Sequence, residues 1–362
     1  MNLNDIVSFL IAGGILLLAF LLLINPLKAN EKGNFYFGLF LLLWSTFWLD
    51  EAFADVFKNN IYFTVGKGFV QFLTPLVFYL SIKFYTNPYY KLKKRLAILL
   101  IIPTIYLFLL IYESTTTNPV VKTLPFILII INALFYTVLA YISLQKHQKN
   151  IESIISNKEP IDLNWIKNII YAIAGSTIIT MLYSTFIDAK SLNLYINVYF
   201  LIVVYMIAYF SIKQREIYPE HLNINEIVNA DENEDEQQTK KILISNSELE
   251  VLKKKLLHLM ETEKPYLDSE LNLIKLAEKL SLSTHQLSFT INNGFNENFF
   301  QFINKYKVEK AKALLKNPQY DKYTILAIGF ESGFNSKTAF NTTFKKVTSY
   351  TPTEYRKIRS NL

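Results

Sequence analysis

The sequence predicts an all-α protein in two parts, a seven-span transmembrane helical bundle followed by a cytoplasmic double helix-turn-helix domain. Three observations lead to this fold class. Seven apolar runs occupy the first 212 residues, charged side chains become much denser after them, and the last third repeats a pattern of short helices and tight turns. A helix needs about 20 apolar residues to cross a bilayer core, and the seven runs are close to that length.

The composition divides the chain between two solvents. Of the 362 residues, 51% are hydrophobic and only 19% are charged, whereas soluble domains carry about 25% charged residues. Residues 1–212 hold 15 Lys and Arg with 10 Asp and Glu, and residues 213–362 hold 22 and 20. This division indicates lipid around the first part and water around the second. It excludes a single soluble domain and a fully embedded transporter.

The predicted spans have a preferred orientation. They comprise residues 6–24, 35–57, 61–84, 96–112, 120–144, 165–187 and 192–212. With the N-terminus outside, the cytoplasmic segments carry thirteen Lys and Arg residues and the external segments carry three. Because cytoplasmic loops are enriched in Lys and Arg, we expect a multi-pass protein of the cell inner (cytoplasmic) membrane. Its N-terminus lies outside and its C-terminal domain lies in the cytoplasm.

Several classes of chemistry lack the residues that they need. The chain has no cysteine, and its four histidines show no zinc-ligand spacing, so disulfides, thiolates and zinc sites are excluded. Glycine-rich phosphate-binding loops are absent from the sequence, and no ATP domain of a sensor kinase is recognisable. The last span contains no lysine, which excludes a retinal photoreceptor. We expect no enzymatic activity, no catalytic residue, no cofactor and no metal.

Two connecting segments follow the bundle. Residues 213–246 are predicted to form an acidic flexible linker, and residues 247–265 to form an amphipathic connector helix capped by Ser247. The helix carries an apolar stripe of Leu249, Leu252, Leu256 and Leu259. Two interpretations remain open. The stripe packs on the helix's own domain, or it forms a short two-stranded seam that joins two copies into a homodimer.

Residues 266–362 show the helix-turn-helix pattern twice. Four short helices and one linking helix are predicted, at residues 273–280, 284–292, 325–331, 336–347 and 298–315. Ser283 ends the first turn and can cap the second helix. The two units are about 51 residues apart. Their second helices would face successive major grooves, which lie ~34 Å apart on one face of B-DNA.

The same stretch resembles the DNA-binding domain of the AraC/XylS family of transcription regulators. The matching residues are Leu276-Ala277, Leu287-Ser288, Tyr306 to Ala311, Ile328, Gly333-Phe334, Phe340, Phe344 to Lys346 and Thr351 to Arg356. The resemblance covers about a quarter of the chain. Together with the seven spans, it makes the chain similar to the membrane-anchored, seven-transmembrane AraC-type regulators of flavobacteria and their relatives.

The sequence departs from the family pattern at several positions. Ser281 and Ser349 stand where glycine is usual in the family. Gly329 stands where alanine is usual, and Lys307 where arginine is usual. Phe289 and Thr342 occupy positions where the family often has a base- or phosphate-contacting arginine. Because arginine makes bidentate contacts to guanine and these two side chains cannot, we expect a target that depends less on guanine.

The outer faces of the two second helices supply the predicted DNA-binding residues. These are His285, Gln286, Ser288, Phe289, Lys337, Thr338, Asn341, Thr342, Lys345 and Lys346. Gln286, Asn341 and Lys337 can reach base edges, whereas Lys345 neutralises phosphate. Residues 284–362 carry 12 Lys and Arg against 5 Asp and Glu. This local excess of positive charge suits a polyanionic partner.

These features together predict a membrane-bound, sequence-specific DNA-binding transcription regulator that senses a signal through its transmembrane part. Its expected partners are double-stranded promoter DNA, the lipid bilayer, a second copy of the chain, RNA polymerase if it acts as an activator, and a small-molecule or envelope signal. The alternative is a transporter or channel-like membrane protein with an appended DNA-binding regulatory domain. Transport usually places ionisable residues in mid-membrane, and few are present in these spans.

The charged residues nearest the external ends of spans two and three form a candidate ligand site or ion pair. Asp50 and Glu51 in span two and Lys67 in span three lie at similar depths, ~9–11 Å below the external end, when counted along the helices. Two interpretations are open. The pair locks the two helices together, or it lines an outward-facing pocket near Trp44 and Trp48 in which a ligand exchanges for one partner.

Overall fold

The computed structural model describes residues 3–57, 60–92, 96–116, 118–157, 161–186, 193–214, 217 and 245–360. Within these ranges the chain is helical apart from turns, caps and one isolated antiparallel bridge. It folds into two compact units. Residues 1–147 and 163–220 belong to the first unit, and residues 148–162 and 221–362 belong to the second. Most of the predicted acidic linker lies outside the described residues.

Seven long helices occupy the positions of the seven predicted spans. They are α1 (Leu3–Ile24), α2 (Glu31–Phe57), α3 (Ile61–Thr86), α4 (Leu96–Thr115), α5 (Pro119–Glu152), α6 (Asn164–Phe186) and α7 (Asn193–Lys213). On length and composition, α1, α3, α4, α5 and α7 are long and apolar enough to cross a membrane. α5 continues beyond its predicted end at residue 144, because the polar sequence that follows contains no glycine or proline to stop it.

Aromatic rings form a column along α2 in the first unit. Phe40 stacks on Trp44 with ring centroids 5.6 Å apart, and Trp44 meets Trp48 edge-on at 5.1 Å. Trp48 in turn meets Phe200 of α7 at 5.4 Å. Because such pairs contribute about 0.5–1.5 kcal/mol each beyond the burial of their area, the column stabilises the packing of α2 against α7.

A buried amide connects three helices at the end of this column. The Nε1 of Trp48 donates a hydrogen bond to Oδ1 of Asn197 at 3.2 Å. The Nδ2 of Asn197 donates to Oδ1 of Asn4 at 2.9 Å and to Oγ of Ser8 at 3.0 Å. An unpaired amide is costly away from water. These bonds therefore favour one register of α1, α2 and α7 over the others.

The second unit contains seven further helices among its described residues. They are α8 (Asn246–Thr262), α9 (Leu273–Leu280), α10 (Thr284–Phe295), α11 (Phe299–Lys316), α12 (Ile325–Glu331), α13 (Lys337–Thr348) and α14 (Pro352–Ser360). The bounds of α9 and α12 are those predicted, and α10 ends at residue 295 rather than 292. The predicted cap is confirmed, since Ser283 accepts a hydrogen bond from the backbone of Gln286. The all-α fold class is confirmed as well.

The predicted N-cap of α8 is wrong. Ser245 rather than Ser247 precedes the helix, and its Oγ accepts a hydrogen bond from the backbone N–H of Glu248 at 3.2 Å. In the apolar stripe, Leu256 and Leu259 are buried where α8 packs on α9 and α10. The interpretation that the stripe packs on its own domain therefore holds for these two leucines, which are not free to form a seam between two copies.

Three of the residues with a left-handed backbone are Ser281, Ser349 and Gly333. Ser281 has φ +54° and Ser349 has φ +66°, a conformation that costs a residue with a Cβ roughly 1–2 kcal/mol. The two serines thus stand where the backbone favours glycine, which is the family's usual residue. Gly333 has φ +88°, and a Cβ there would lie 2.3 Å from the backbone oxygen of Tyr266. The second turn therefore requires glycine.

Lys307 of α11 is buried beneath the loop that joins α5 to α6, and this loop belongs to the second unit. Lys307 is 1% exposed, and its Nζ donates a hydrogen bond to Oγ of Ser156 at 3.4 Å. The ammonium lies 5.8 Å from the ring centroid of Phe334. Burial lowers the pKa of Lys307 to about 8, and the carboxylate of Asp268 opposes this shift. The folded unit thus carries a poorly solvated charge at neutral pH.

Lys307 should make the stability of the second unit depend on pH. Its folded pKa of about 8 lies below the ordinary 10.5, so between these values the unfolded chain binds more protons and stability rises with pH. The cost of the buried charge is on the order of 3 kcal/mol and is fully present below pH 8. We expect the unfolding temperature of the second unit, measured by calorimetry on the full chain in detergent, to rise between pH 8 and 10.

The substitution Lys307→Met should remove most of this rise and should stabilise the second unit at pH 7, because it removes the buried charge while keeping a long apolar side chain. Lys254→Met on the exposed face of α8 is the matched control and should leave the pH profile as in the parent chain. A Lys307→Met profile that still rises between pH 8 and 10 would contradict the prediction.

Candidate nucleic-acid interface

The first helix-turn-helix unit consists of α9 and α10, which share a buried apolar face. On α9, Leu276 and Ala277 are 0% and 2% exposed. On α10, Leu287 and Ile291 are 0% and 1% exposed, which confirms their predicted inner-face positions. Burial of such side chains contributes about 1.5–3 kcal/mol each for the larger ones. The opposite face of α10 is thereby turned away from the core.

The second helix-turn-helix unit consists of α12 and α13. Its core contains Val308, Ala311, Leu314, Leu315, Ile328, Phe334, Phe340 and Phe344. Phe340 and Phe344 are fully buried, as predicted. A Cβ at Gly329 would lie 2.6 Å from Cδ1 of Phe340, so the ring packs directly on the backbone of α12. This contact gives the physical reason for glycine at a position where the family usually has alanine.

On α10, the structure places four of the predicted DNA-binding residues. His285 is exposed, and Ser288 and Phe289 are half-buried. Gln286 is half-buried and also caps the helix, because its Oε1 accepts a hydrogen bond from the backbone N–H of Ser283 at 3.0 Å. That capping box holds the Gln286 side chain at the start of the helix. A contact from Gln286 to a base would compete with the cap.

On α13, the structure places the other six. Lys337, Thr338, Thr342, Lys345 and Lys346 are exposed, and Asn341 is half-buried. The helix is fixed at its start by Ser336, whose Oγ accepts a hydrogen bond from the backbone N–H of Ala339 at 3.0 Å. Lys345 and Lys346 lie in the last turn, where positive side chains suit the helix dipole. The basic and amide groups thus stand on a short, capped and well-packed helix.

The closing Thr-Pro-x-Glu motif is a helix start that sequence reasoning did not interpret. The backbone N–H of Thr351 donates to Oε2 of Glu354 at 2.7 Å, and the backbone N–H of Glu354 donates to Oγ1 of Thr351 at 3.3 Å. These hydrogen bonds lower the pKa of Glu354. The spacing Thr-x-x-Glu is the signature of a capping box, and it could have been read from the sequence. It starts α14, whose Tyr355 packs against Phe344 at 5.4 Å.

Arg356 of α14 is a further basic residue that the predicted contacts omitted. Its Nη1 donates a hydrogen bond to the backbone oxygen of Tyr323 at 2.9 Å. The side chain thereby fastens α14 to the segment that precedes α12. Its place in the closing motif marked Arg356 as a residue of interest. Its hydrogen-bond partner lies 33 residues earlier in the chain, so the contact could not be predicted from the local sequence.

The candidate ion pair of the first unit lies partly outside the described residues. Asp50 and Glu51 belong to α2, but their side chains are outside what the structure describes. Lys67 is a half-buried residue of α3. Within the described ranges, no group of three or more His, Cys, Asp or Glu could hold a metal ion.

Comparison with known proteins bears on the C-terminal region. Residues 276–358 match the model of a helix-turn-helix domain. This region is an AraC-type helix-turn-helix domain. The chain is 34% identical over 87 residues to uncharacterised HTH-type transcriptional regulators of Staphylococcus aureus strains COL, MSSA476 and N315, a match that covers 24% of the chain and 11% of each relative.

The matched relatives are thus far longer than the matched segment, and the similarity concerns the helix-turn-helix domain alone. No solved structure matches the chain significantly. The domain type indicates DNA binding by a transcription regulator, as the sequence predicted. The comparisons do not extend to the seven helices of the first unit.

Two kinds of substitution on α13 should separate base reading from phosphate binding. Asn341→Ala or Lys337→Ala should relax sequence preference at one base-pair position, by ~1–3 kcal/mol, because a base-edge contact is lost. Lys345→Ala should weaken binding to all sequences and reduce the slope of affinity against salt by about one, because a phosphate contact is lost. The measurement is binding of the full chain in nanodiscs to a randomised DNA library at several salt concentrations.

Lys254→Ala on the exposed face of α8, outside the basic stretch of residues 284–362, serves as the control of equal charge change and should leave both preference and affinity close to those of the parent chain. Identical preference profiles for Asn341→Ala, Lys337→Ala and the parent chain would show that α13 does not read bases through these residues.

Proposed function

We propose that the chain is a membrane-integrated, one-component, sequence-specific transcription regulator, and not an enzyme. The observation that carries this proposal is the AraC-type helix-turn-helix domain, with two capped second helices, at the C-terminal end of a chain whose first unit is a set of long apolar helices. The domain would bind promoter DNA, and the first unit would receive a signal. If the protein activates transcription, RNA polymerase is its further partner.

The outer surface of the first unit supports placement in a bilayer. Phe108 of α4 is 68% exposed, Phe126 of α5 is 66% exposed and Ile202 of α7 is 63% exposed. Soluble proteins rarely leave extended apolar surface in water, whereas lipid solvates it. With the excess of Lys and Arg on one side of the spans, this surface supports a multi-pass protein of the cell inner membrane, with the DNA-binding domain in the cytoplasm.

A transporter with an appended regulatory domain is the competing function. Transport pathways usually contain ionisable residues that face a cavity in mid-membrane. In the first unit the buried polar groups Asn132 and Asn197 are neutral, and both are hydrogen-bonded to neighbouring helices. Trp44 and Trp48 are only 8% and 7% exposed. A core of packed rings and neutral amides, each of which donates a hydrogen bond, favours a signalling bundle over a translocation path.

The first expected result is that DNA and membrane are bound by the same molecule. Membranes that contain the full chain should retain a small set of genomic DNA fragments, and those fragments should be released as salt rises because phosphate contacts are screened. Membranes with the Lys345→Ala chain should retain less of every fragment. Equal retention of all genomic fragments by the full chain would contradict sequence-specific binding, and recovery of the chain outside the membrane fraction would contradict integration.

The second expected result concerns the Asp50, Glu51 and Lys67 site, for which we propose a role in sensing. A charge removed from the pair should abolish the response if a ligand exchanges for one partner. We expect Lys67→Met to leave protein abundance normal and to abolish the signal response of a target-promoter reporter. Lys122→Met, an exposed lysine on α5, is the control. A normal response, or reduced abundance alone, would mean that the pair is structural.

A further inference from the structure

The loop between α5 and α6 meets the DNA-binding domain through its backbone. The described part of this loop pairs with the start of α9 as an antiparallel bridge between Ile155 and Asn272. The backbone N–H of Leu273 donates a hydrogen bond to the oxygen of Ile154 at 2.8 Å. Main-chain pairing of this kind gives a defined register. The loop is therefore seated on one element of the first helix-turn-helix unit.

Ser156 extends the contact to the linking helix. Its Oγ donates a hydrogen bond to the backbone oxygen of Leu271 at 2.9 Å and accepts one from Lys307 at 3.4 Å. Its backbone oxygen accepts a hydrogen bond from Nδ2 of Asn304 at 3.0 Å. Ser156, Asn304 and Lys307 are at most 3% exposed. One small residue of the loop thus bonds the start of α9 and the middle of α11 at once.

The loop is also anchored and closed at its base. Ile151 at the end of α5 and Ile154 in the loop are 2% and 9% exposed, so apolar as well as polar side chains are buried here. The Nε2 of Gln148 donates a hydrogen bond to the backbone oxygen of Asp162 at 2.8 Å. The two ends of the loop are thereby held together. The described part of the loop is therefore fixed to the domain by both hydrogen bonds and buried side chains.

The docking position lies at the joint between the two helix-turn-helix units. α9 belongs to the first helix-turn-helix unit, and α11 joins the two helix-turn-helix units. The ammonium of Lys307 lies 5.8 Å from the ring centroid of Phe334, which is in the turn of the second helix-turn-helix unit. Phe334 packs on Phe340 of α13 with centroids 5.1 Å apart. The loop therefore contacts the start of α9 and the middle of α11, and Lys307 links this contact to Phe334 in the turn before α13.

The docked loop leaves the predicted DNA-binding faces open. With the loop in place, His285, Lys337 and Lys345 are exposed. The contact residues on the domain lie at the start of α9 and on the buried side of α11, away from these faces. Docking is therefore compatible with DNA binding, and a masking role has no support in the contacts.

We propose that the α5–α6 loop is a docking partner of the DNA-binding domain that holds the two helix-turn-helix units in the arrangement that binds DNA, with Ser156 as the positioning residue. This rests on the proposed function, because it names the regulation of the same DNA-binding site. The loop is covalently continuous with α5 and α6. A displacement of those helices would loosen the joint and lower the affinity for a site that needs both units.

A cross-link provides the first test, since the sequence contains no cysteine. Residues paired across an antiparallel bridge have Cα separations suited to a disulfide. We expect the full chain with Ile155→Cys and Asn272→Cys, in nanodiscs, to lose both free thiols under mild oxidation, as counted with a maleimide-polyethylene glycol reagent. The pair Ile155→Cys and Asn293→Cys, whose second position is exposed on α10, should keep both thiols. Free thiols in both pairs would overturn the proposed docking.

DNA binding by the oxidised and reduced forms of the same molecule then tests the role of the contact. The oxidised form should bind a selected two-groove site at least as tightly as the reduced form. An oxidised form that binds more weakly would show that docking inhibits, and would overturn the proposal. If the reduced form and the parent chain both fail to select any DNA sequence, the proposed function fails instead, so the two failures are distinguishable.

A charge substitution at Ser156 provides an independent test. Ser156→Lys places a second ammonium beside Lys307 and should undock the loop. We expect this to weaken binding to the two-groove site about tenfold, because α11 alone then sets the arrangement of the two units. Adding Lys307→Met should restore most of the affinity by removing the repulsion. Unchanged binding by Ser156→Lys would overturn the proposal.

Discussion

The burial of one face of α11 is the interaction on which the DNA-binding domain depends. Phe302 packs on Phe295 of α10 in the first helix-turn-helix unit, and Val308 and Ala311 belong to the core of the second. Each large side chain buried in this way contributes about 1.5–3 kcal/mol. Neither helix-turn-helix unit has a complete core without α11, so α10 and α13 both depend on the packing of this one helix. Lys307 lies on the same helix, and its buried charge opposes the stability that this burial supplies.

Local signals in the sequence were sufficient for the helix-turn-helix units. The bounds of α9 and α12 and the cap at Ser283 follow from leucine spacing and turn residues within a few positions of each other. The inner faces of α10 and α13 follow from helical periodicity. The seven long helices of the first unit could be predicted in the same way, because each apolar run is close to the length of a membrane-spanning helix. The family resemblance located the domain that the comparison then matched.

Contacts between distant parts of the chain could not be predicted in this way. Ser245 and Ser247 are both good caps for the same helix, and only the hydrogen bond to Glu248 distinguishes them. Lys307 reads as an ordinary surface charge or as a substitute for arginine, yet its hydrogen-bond partner lies 151 residues earlier. The sequence has no periodic signal for a contact between Ser156 and that helix. Pairings of this kind depend on the assembled fold.

The hydrogen bonds of Asn197 have a consequence for the order in which the protein can form. Asn4 precedes Asn197 by 193 residues, which at 5–20 residues per second corresponds to about 10–40 s of synthesis. During that interval α1 has its polar groups without the partner that they have in the folded protein. The first unit can close only when its last helix has been made. Because α9 to α14 follow in the chain, the ribosome completes the seven long helices of the first unit before it completes the helix-turn-helix domain.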